Sequence, residues 1–145
     1  MIILEKIINK NNEVYAQLSY EPLKNYLLMK WVGKCSDEEI KSASLLMLDW
    51  QVKFGWRKKC HFHVHNTKEL EVAWINLIDW INNELFSEAY NFGLRYNVSI
   101  LSPDLFSKLS SFELHKSGNK KVPTVLFDSI SSAEKWIRTK NIELR

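Results

Sequence analysis

NYLLMKWVGKCSDEEIKSASLLMLDW, residues 25–50, changes its hydrophobic period once, and that change decides the fold. NYLLMKWV (25–32) reads as a strand, and Gly33 ends it. Ser36-Asp37-Glu38-Glu39 then opens a helix as a capping box: the Ser36 hydroxyl accepts from the Glu39 amide while Glu39 reaches back to the cap. Ile40, Ala43, Met47, Trp50 and Phe54 recur at helical spacing along one face, and Gly55 is placed to stop the helix. CHFHV (60–64) follows as the next strand, with Cys60, Phe62 and Val64 facing one way. A strand, a helix and a strand in succession predict a crossover connection, and so a sheet that is at least partly parallel.

The same alternation extends in both directions. Before the quoted stretch, MIILEKII (1–8) and VYAQLSY (14–20) are strands separated by the turn signal KNNE (10–13). After it, a long helical pattern runs from about Glu69 to Phe92, with Trp74, Ile78, Ile81, Leu85 and Ala89 on its buried face and Gly93 at its end. YNVSIL (96–101) is a strand, and Ser102-Pro103-Asp104 starts a short helix with proline in the tolerated first turn. HKSGNKK (115–121) reads as a mobile loop and PTVLFD (123–128) as the last strand. Ser131 and Glu134 form a second capping box before Ala133, Trp136 and Ile137. The order βββαβαβαβα predicts one α/β domain over residues 1–145, a mixed sheet packed with about four helices.

Composition narrows the function classes. The chain has 145 residues, 46% hydrophobic and 26% charged, so it can bury a core without staples. Net charge is +3, and the short basic runs Arg57-Lys58-Lys59 and Lys120-Lys121 fall beside turn signals. They read as solvated loops, and no nucleic-acid partner is expected. Charges come too early in MIILEKIINK for a signal peptide, and no run approaches a membrane helix. The expectation is a cytoplasmic protein with two reduced cysteines and no membrane association.

Trp31-Val32-Gly33 before the capped helix, HVHNTKELE (63–71), DWINNELFSEAYNFGLRYNVSIL (79–101) and FDSISSAEKWI (127–137) carry a resemblance that covers most of the chain. Their order resembles the STAS-like (SpoIIAA-like) superfamily, which includes the bacterial anti-sigma-factor antagonists. It is most similar to a group of small STAS-related proteins from Bacteroidetes. The resemblance implies a non-enzymatic regulatory domain that binds a protein partner or a second copy of itself, a homodimer. In the antagonists, a serine in a DS-type loop after a strand is phosphorylated and controls binding to a kinase. The matching positions here are His65, Asn66, Thr67 and Lys68, with Thr67 the sole hydroxyl and no Asp-Ser pair. Those four residues and Trp80, on the flank of its helix, form the expected partner-binding set.

The residues also offer a metal or ligand reading. His61, His63 and His65 alternate, so on a strand they share a face, with neighbours about 6.8 Å apart along the chain. His61 and His63 could converge on one ion, but all three span about 13–14 Å, too far for one tetrahedral site. If Phe62, Val98 and Val125 face the core, the histidines share the opposite, less buried face with Asn97, Ser99 and Thr124. None of those three is a usual zinc ligand. No metal and no cofactor is therefore expected, and the row should titrate near pH 6.5. The alternative function is a small-molecule- or metal-binding domain, or an enzyme, using the His61/His63/His65 face. A deep pocket with convergent polar groups would favour it. Cys35, beside three acids, reads as an ordinary turn cysteine and Cys60 as an inert core thiol. No nucleophile elbow or phosphate-cradling glycine loop is present, so no catalytic residue is expected.

Overall fold

In the computed structural model, which describes residues 1–119 and 121–144, six strands form one sheet in sequential order. They are β1 (Ile2–Ile8), β2 (Val14–Glu21), β3 (Tyr26–Gly33), β4 (Phe62–Leu70), β5 (Tyr96–Ile100) and β6 (Thr124–Phe127). β1, β2 and β3 pair antiparallel, whereas β3 through β6 pair parallel, each joined to the next through a helical crossover. The protein is thus α/β, with a mixed sheet and four helical stretches among the described residues. The first is α1 (Asp37–Trp50), continued by a π-helical turn over Gln51–Gly55. The second runs from Ile75 to Asn91 as a 3₁₀ turn, α2 (Ile78–Trp80), a π-helical turn (Ile81–Leu85) and α3 (Phe86–Asn91). The others are α4 (Leu105–Ser117) and α5 (Ile130–Glu143).

Strand alternation sorts the side chains into two cores. Leu27, Met29 and Trp31 of β3 face α1 and the 75–91 helix, meeting Ile40, Met47, Ile78, Ile81 and Phe86. Tyr26, Phe62, Val64, Val98 and Ile100 face the other way, against Ala133 and Ile137 of α5. Both faces of the parallel half are therefore covered, as such sheets require. Trp136 closes the α5 side, edge-on to Phe62 and Tyr96 at 5.8 and 5.0 Å between ring centroids. No helix among the described residues is long and apolar enough to cross a membrane.

Several local readings shift. The Ser36 capping box forms, with both bonds near 3 Å. Phe54, however, is 46% exposed rather than buried. The π-helical turn inserts extra angular spacing after Trp50, so the buried stripe passes to Gln51 and Gly55. Gly55 consequently sits inside that turn, and Lys59, at φ +54°, takes the left-handed position in the turn beyond it. The cap of α5 is Ser129, accepting from Ser132, and not Ser131. Glu134 instead accepts from the Tyr26 hydroxyl at 2.8 Å and pairs with Lys24 at 3.2 Å.

α4 is thirteen residues long, so His115–Ser117 of the expected loop are helical. Asn119 then accepts from the Lys121 and Val122 amides and donates to the Asn82 carbonyl; Lys120 lies outside the described residues. The helix is also inverted in polarity. Ser107, Ser110 and Ser111 point inward and are buried, while Leu105, Phe106, Leu109 and Phe112 are 44–63% exposed. Its inner face meets the polar side of β5 and β6, where Ser111 lies 3.3 Å from Ser99.

Candidate functional site

The register of the parallel strands builds two polar rows on the face covered by α1, α4 and the 75–91 helix. Leu27, His63, Asn97 and Thr124 lie abreast, and so do Met29, His65 and Ser99. The histidines share this face with Asn97 and Ser99 as the alternation predicts, but it is not the less buried face. His63 is 5% exposed and Asn97 2%. Helices lie over it because crossovers must cover a parallel sheet, whatever the polarity of the strand residues beneath.

Burial forces each polar group to find a partner. His63 Nε2 lies 2.8 Å from Gln51 Oε1, while Gln51 Nε2 donates to the Cys60 carbonyl at 2.9 Å and the Phe92 carbonyl at 2.7 Å. One buried glutamine therefore ties α1's extension to the start of β4 and the end of α3. His65 Nδ1 accepts from the Trp31 indole N–H at 3.1 Å, which leaves the ring proton on Nε2. Burial, with His65 as a smaller contributor, pushes His63 down to about 3. Burial also pushes His65 down to about 4, the Asn97 amide offsetting it in part. The expected titration near pH 6.5 is overturned for both rings: they are neutral at physiological pH. His61 precedes β4, and its Nδ1 lies 2.7 Å from the Gly93 carbonyl. No group of three or more His, Cys, Asp or Glu among the described residues could hold a metal ion.

Between these rows and the helices lies a cavity of about 50 Å³. Trp31, His65, Trp74, Phe86, Asn97 and Leu114 are among its walls, which include no Asp, Glu, Lys or Arg. Two wall residues carry buried polar atoms with no partner, the Trp74 indole Nε1–H and Asn97 Oδ1. Asn97 spends its Nδ2 on Thr124 Oγ1 at 3.2 Å. Its amide also lies close enough to the His65 ring to favour that ring's protonated form. His65 is half-buried and lines the cavity. Both atoms are closed off from solvent, and each unsatisfied group costs about 1–3 kcal/mol.

The expected partner-binding set does not come together. His65, Asn66, Thr67 and Lys68 lie within β4, which runs six residues beyond CHFHV, and not in a loop. His65 and Thr67 point into the cavity side, while Asn66 and Lys68 alternate away from them. Thr67 is 3% exposed, and its hydroxyl donates to the Ile100 carbonyl at 2.6 Å. Trp80 is half-buried at the edge of the main core, with the Lys41 ammonium 5.3 Å from its ring centroid. Cys60 is fully buried and burial pushes its thiol up to about 12; Cys35 goes up to about 11, by burial first and Glu39 second.

Sequence reading did not single out Gln51, the Trp74 indole N–H or the bond from the Trp31 indole to His65. Gln51 had one signal, its place four residues after Met47 on an apolar stripe. No family model, curated protein or solved structure matches the chain.

Proposed function

We propose that this chain is a non-catalytic, STAS-like binding domain that holds a small molecule in the cavity between β3–β5 and the overlying helices. The observation that carries it is a cavity of about 50 Å³ whose wall sets the polar side chains of Ser44, His65 and Asn97 among apolar ones. A non-catalytic role is supported by the state of the reactive groups. The two histidines of the covered face become cationic only far below neutral pH, and both thiols are held protonated. General base and nucleophile work needs pKa values closer to the working pH. A phosphorylation switch at Thr67 has no support, since that hydroxyl is buried and already donating.

Native mass spectrometry of the tag-free protein purified from its host tests this reading. The expected result is an adduct that disappears on denaturation and is absent from Asn97→Leu. A native mass equal to the bare chain, in protein never exposed to denaturant, would contradict it.

The exposed stripe on α4 favours a second reading, an interaction module. Leu105, Phe106, Leu109 and Phe112 place four large apolar side chains in water on one helix face, the mark of an interaction surface. This moves the partner-binding expectation from β4 and Trp80 to α4. Because the same helix walls the cavity through Leu114, the two readings are compatible.

A further inference from the structure

Two turns meet at the end of the sheet where β3 and β4 begin, away from the cavity and from α4. One is the β2–β3 turn, Pro22–Asn25, and the other is Trp56–Lys59, after the π-helical turn. Asn25 ties them together. Its Nδ2 donates to the Lys58 and Lys59 carbonyls at 2.9 and 3.0 Å, and its Oδ1 accepts from the Tyr20 hydroxyl at 2.7 Å. Apolar side chains on and beside these turns stand in water: Leu23 is 93% exposed, Trp56 50% and Phe54 46%. The Trp56 indole N–H donates to the Val52 carbonyl at 3.1 Å, so its one polar atom is already satisfied.

The charge at this end is of one sign. Arg57, Lys58 and Lys59 are exposed, and none of the three pairs with a carboxylate among the described residues. Arg57 and Lys58 lie over aromatic rings instead, 5.4 Å from the Trp56 centroid and 5.7 Å from that of Tyr20. The neighbouring acids are each engaged by a cation: Glu21 by the N-terminal ammonium, Asp49 by Lys53 and Glu134 by Lys24. At the other end of the parallel strands the helices begin, and there Asp37, Glu38, Glu39, Asp104 and Asp128 gather. The molecule is therefore polarised along its strands, and its field turns the basic end toward an anionic surface.

We propose that this basic end docks on an anionic lipid bilayer. Leu23, Phe54 and Trp56 enter the headgroup layer, while Arg57, Lys58 and Lys59 meet the lipid phosphates and carboxylates. Large apolar side chains beside lysine and arginine are the composition of interfacial anchors, which lie on a membrane and need no helix to cross it. The charge selects an anionic partner; the apolar side chains select lipid among anionic partners. A leucine standing free on a turn has no base to stack on and no phosphate to bond. Protruding turns also present no groove for an acidic peptide. From sequence, Arg57-Lys58-Lys59 reads as a solvated loop without a membrane partner; the fold departs from that reading by setting Leu23 and its turn alongside.

Flotation of the full chain with vesicles tests the proposal. Binding to mixed phosphatidylcholine–phosphatidylserine vesicles is expected to be at least tenfold tighter than to phosphatidylcholine alone. It should be lost near 1 M salt, where the screening length falls to about 3 Å. Leu23→Ser with Trp56→Ser, which leaves every cation in place, should weaken binding at least tenfold. Arg57→Gln with Lys58→Gln should do the same. All four side chains are exposed, so both variants should keep the thermal unfolding curve of the parent. No flotation with the mixed vesicles at low salt would overturn the proposal. So would Leu23→Ser with Trp56→Ser floating as the parent does, since attraction would then be charge alone. A single-stranded oligonucleotide that binds more tightly than the mixed vesicles, with no loss in that variant, would replace lipid by nucleic acid.

Discussion

Gln51 shows how one side chain can set the geometry around a site. It is fully buried and bonds to the Cys60 and Phe92 carbonyls and to His63. Gln51→Ala would leave two carbonyls and an imidazole unpaired, so a loss of about 3–5 kcal/mol is expected in urea unfolding. Gly55 belongs to the same arrangement. A Cβ there would stand 2.4 Å from Gln51 Cδ, and Gln51 cannot swing aside without breaking its three bonds. Gly55→Ala should therefore destabilise by about 1–3 kcal/mol, and a Gln51→Ala background should relieve most of that cost.

His63 and His65 make a second prediction at this scale. In the unfolded chain both titrate near 6.5, while in the fold they hold out to about 3 and about 4. As pH falls below 6.5 the unfolded state takes up protons that the folded state refuses, so stability drops. Each ring contributes about 1.4 kcal/mol per pH unit until its folded value is reached. Unfolding free energies at pH 7.5, 6.5 and 5 should show a plateau and then a steep fall, roughly halved in slope by His63→Gln. A flat profile between pH 7.5 and 5 would mean that the rings are hydrated.

At the scale of elements, the π-helical turn after α1 and the inverted polarity of α4 are the two departures from simple patterning. The first predicts that Phe54→Ser costs under about 0.5 kcal/mol while Met47→Ala, in the core, costs about 2–5 kcal/mol. The second predicts that Leu109→Ser with Phe112→Ser leaves monomer stability nearly unchanged and lowers any self-association seen by sedimentation. An equal loss of stability and association would place that stripe in the core.

The element order was legible because strands such as NYLLMKWV and the Ser36 box carry strong local signals. The end of β4 was not, since HNTKEL has turn-like and charged residues and is held as a strand only by pairing with β3 and β5. That single misplacement turned a paired strand segment into an expected partner loop. The π-helical turn escaped notice for a related reason: a regular 3.6 period fits Trp50 and Phe54, and only the packed Gln51 and Gly55 reveal the slip. Of the site, the shared face of the histidines with Asn97 and Ser99 followed from alternation. Its burial did not, because which side the crossover helices cover is decided by the chain's overall path.

For the whole molecule, the proposal is that a fold covering both faces of its parallel half keeps a cavity between β3–β5 and the overlying helices for a small molecule. The helices that shield β4 and β5 also bury Trp74 Nε1 and Asn97 Oδ1, and the proposed small molecule would occupy the cavity beside them. The most direct measurement is a high-resolution crystal structure of protein never unfolded, read at that cavity. The account predicts one continuous feature of more than two non-hydrogen atoms within that cavity. Separate water peaks alone, or side chains rotated to fill the space and pair those atoms, would contradict it.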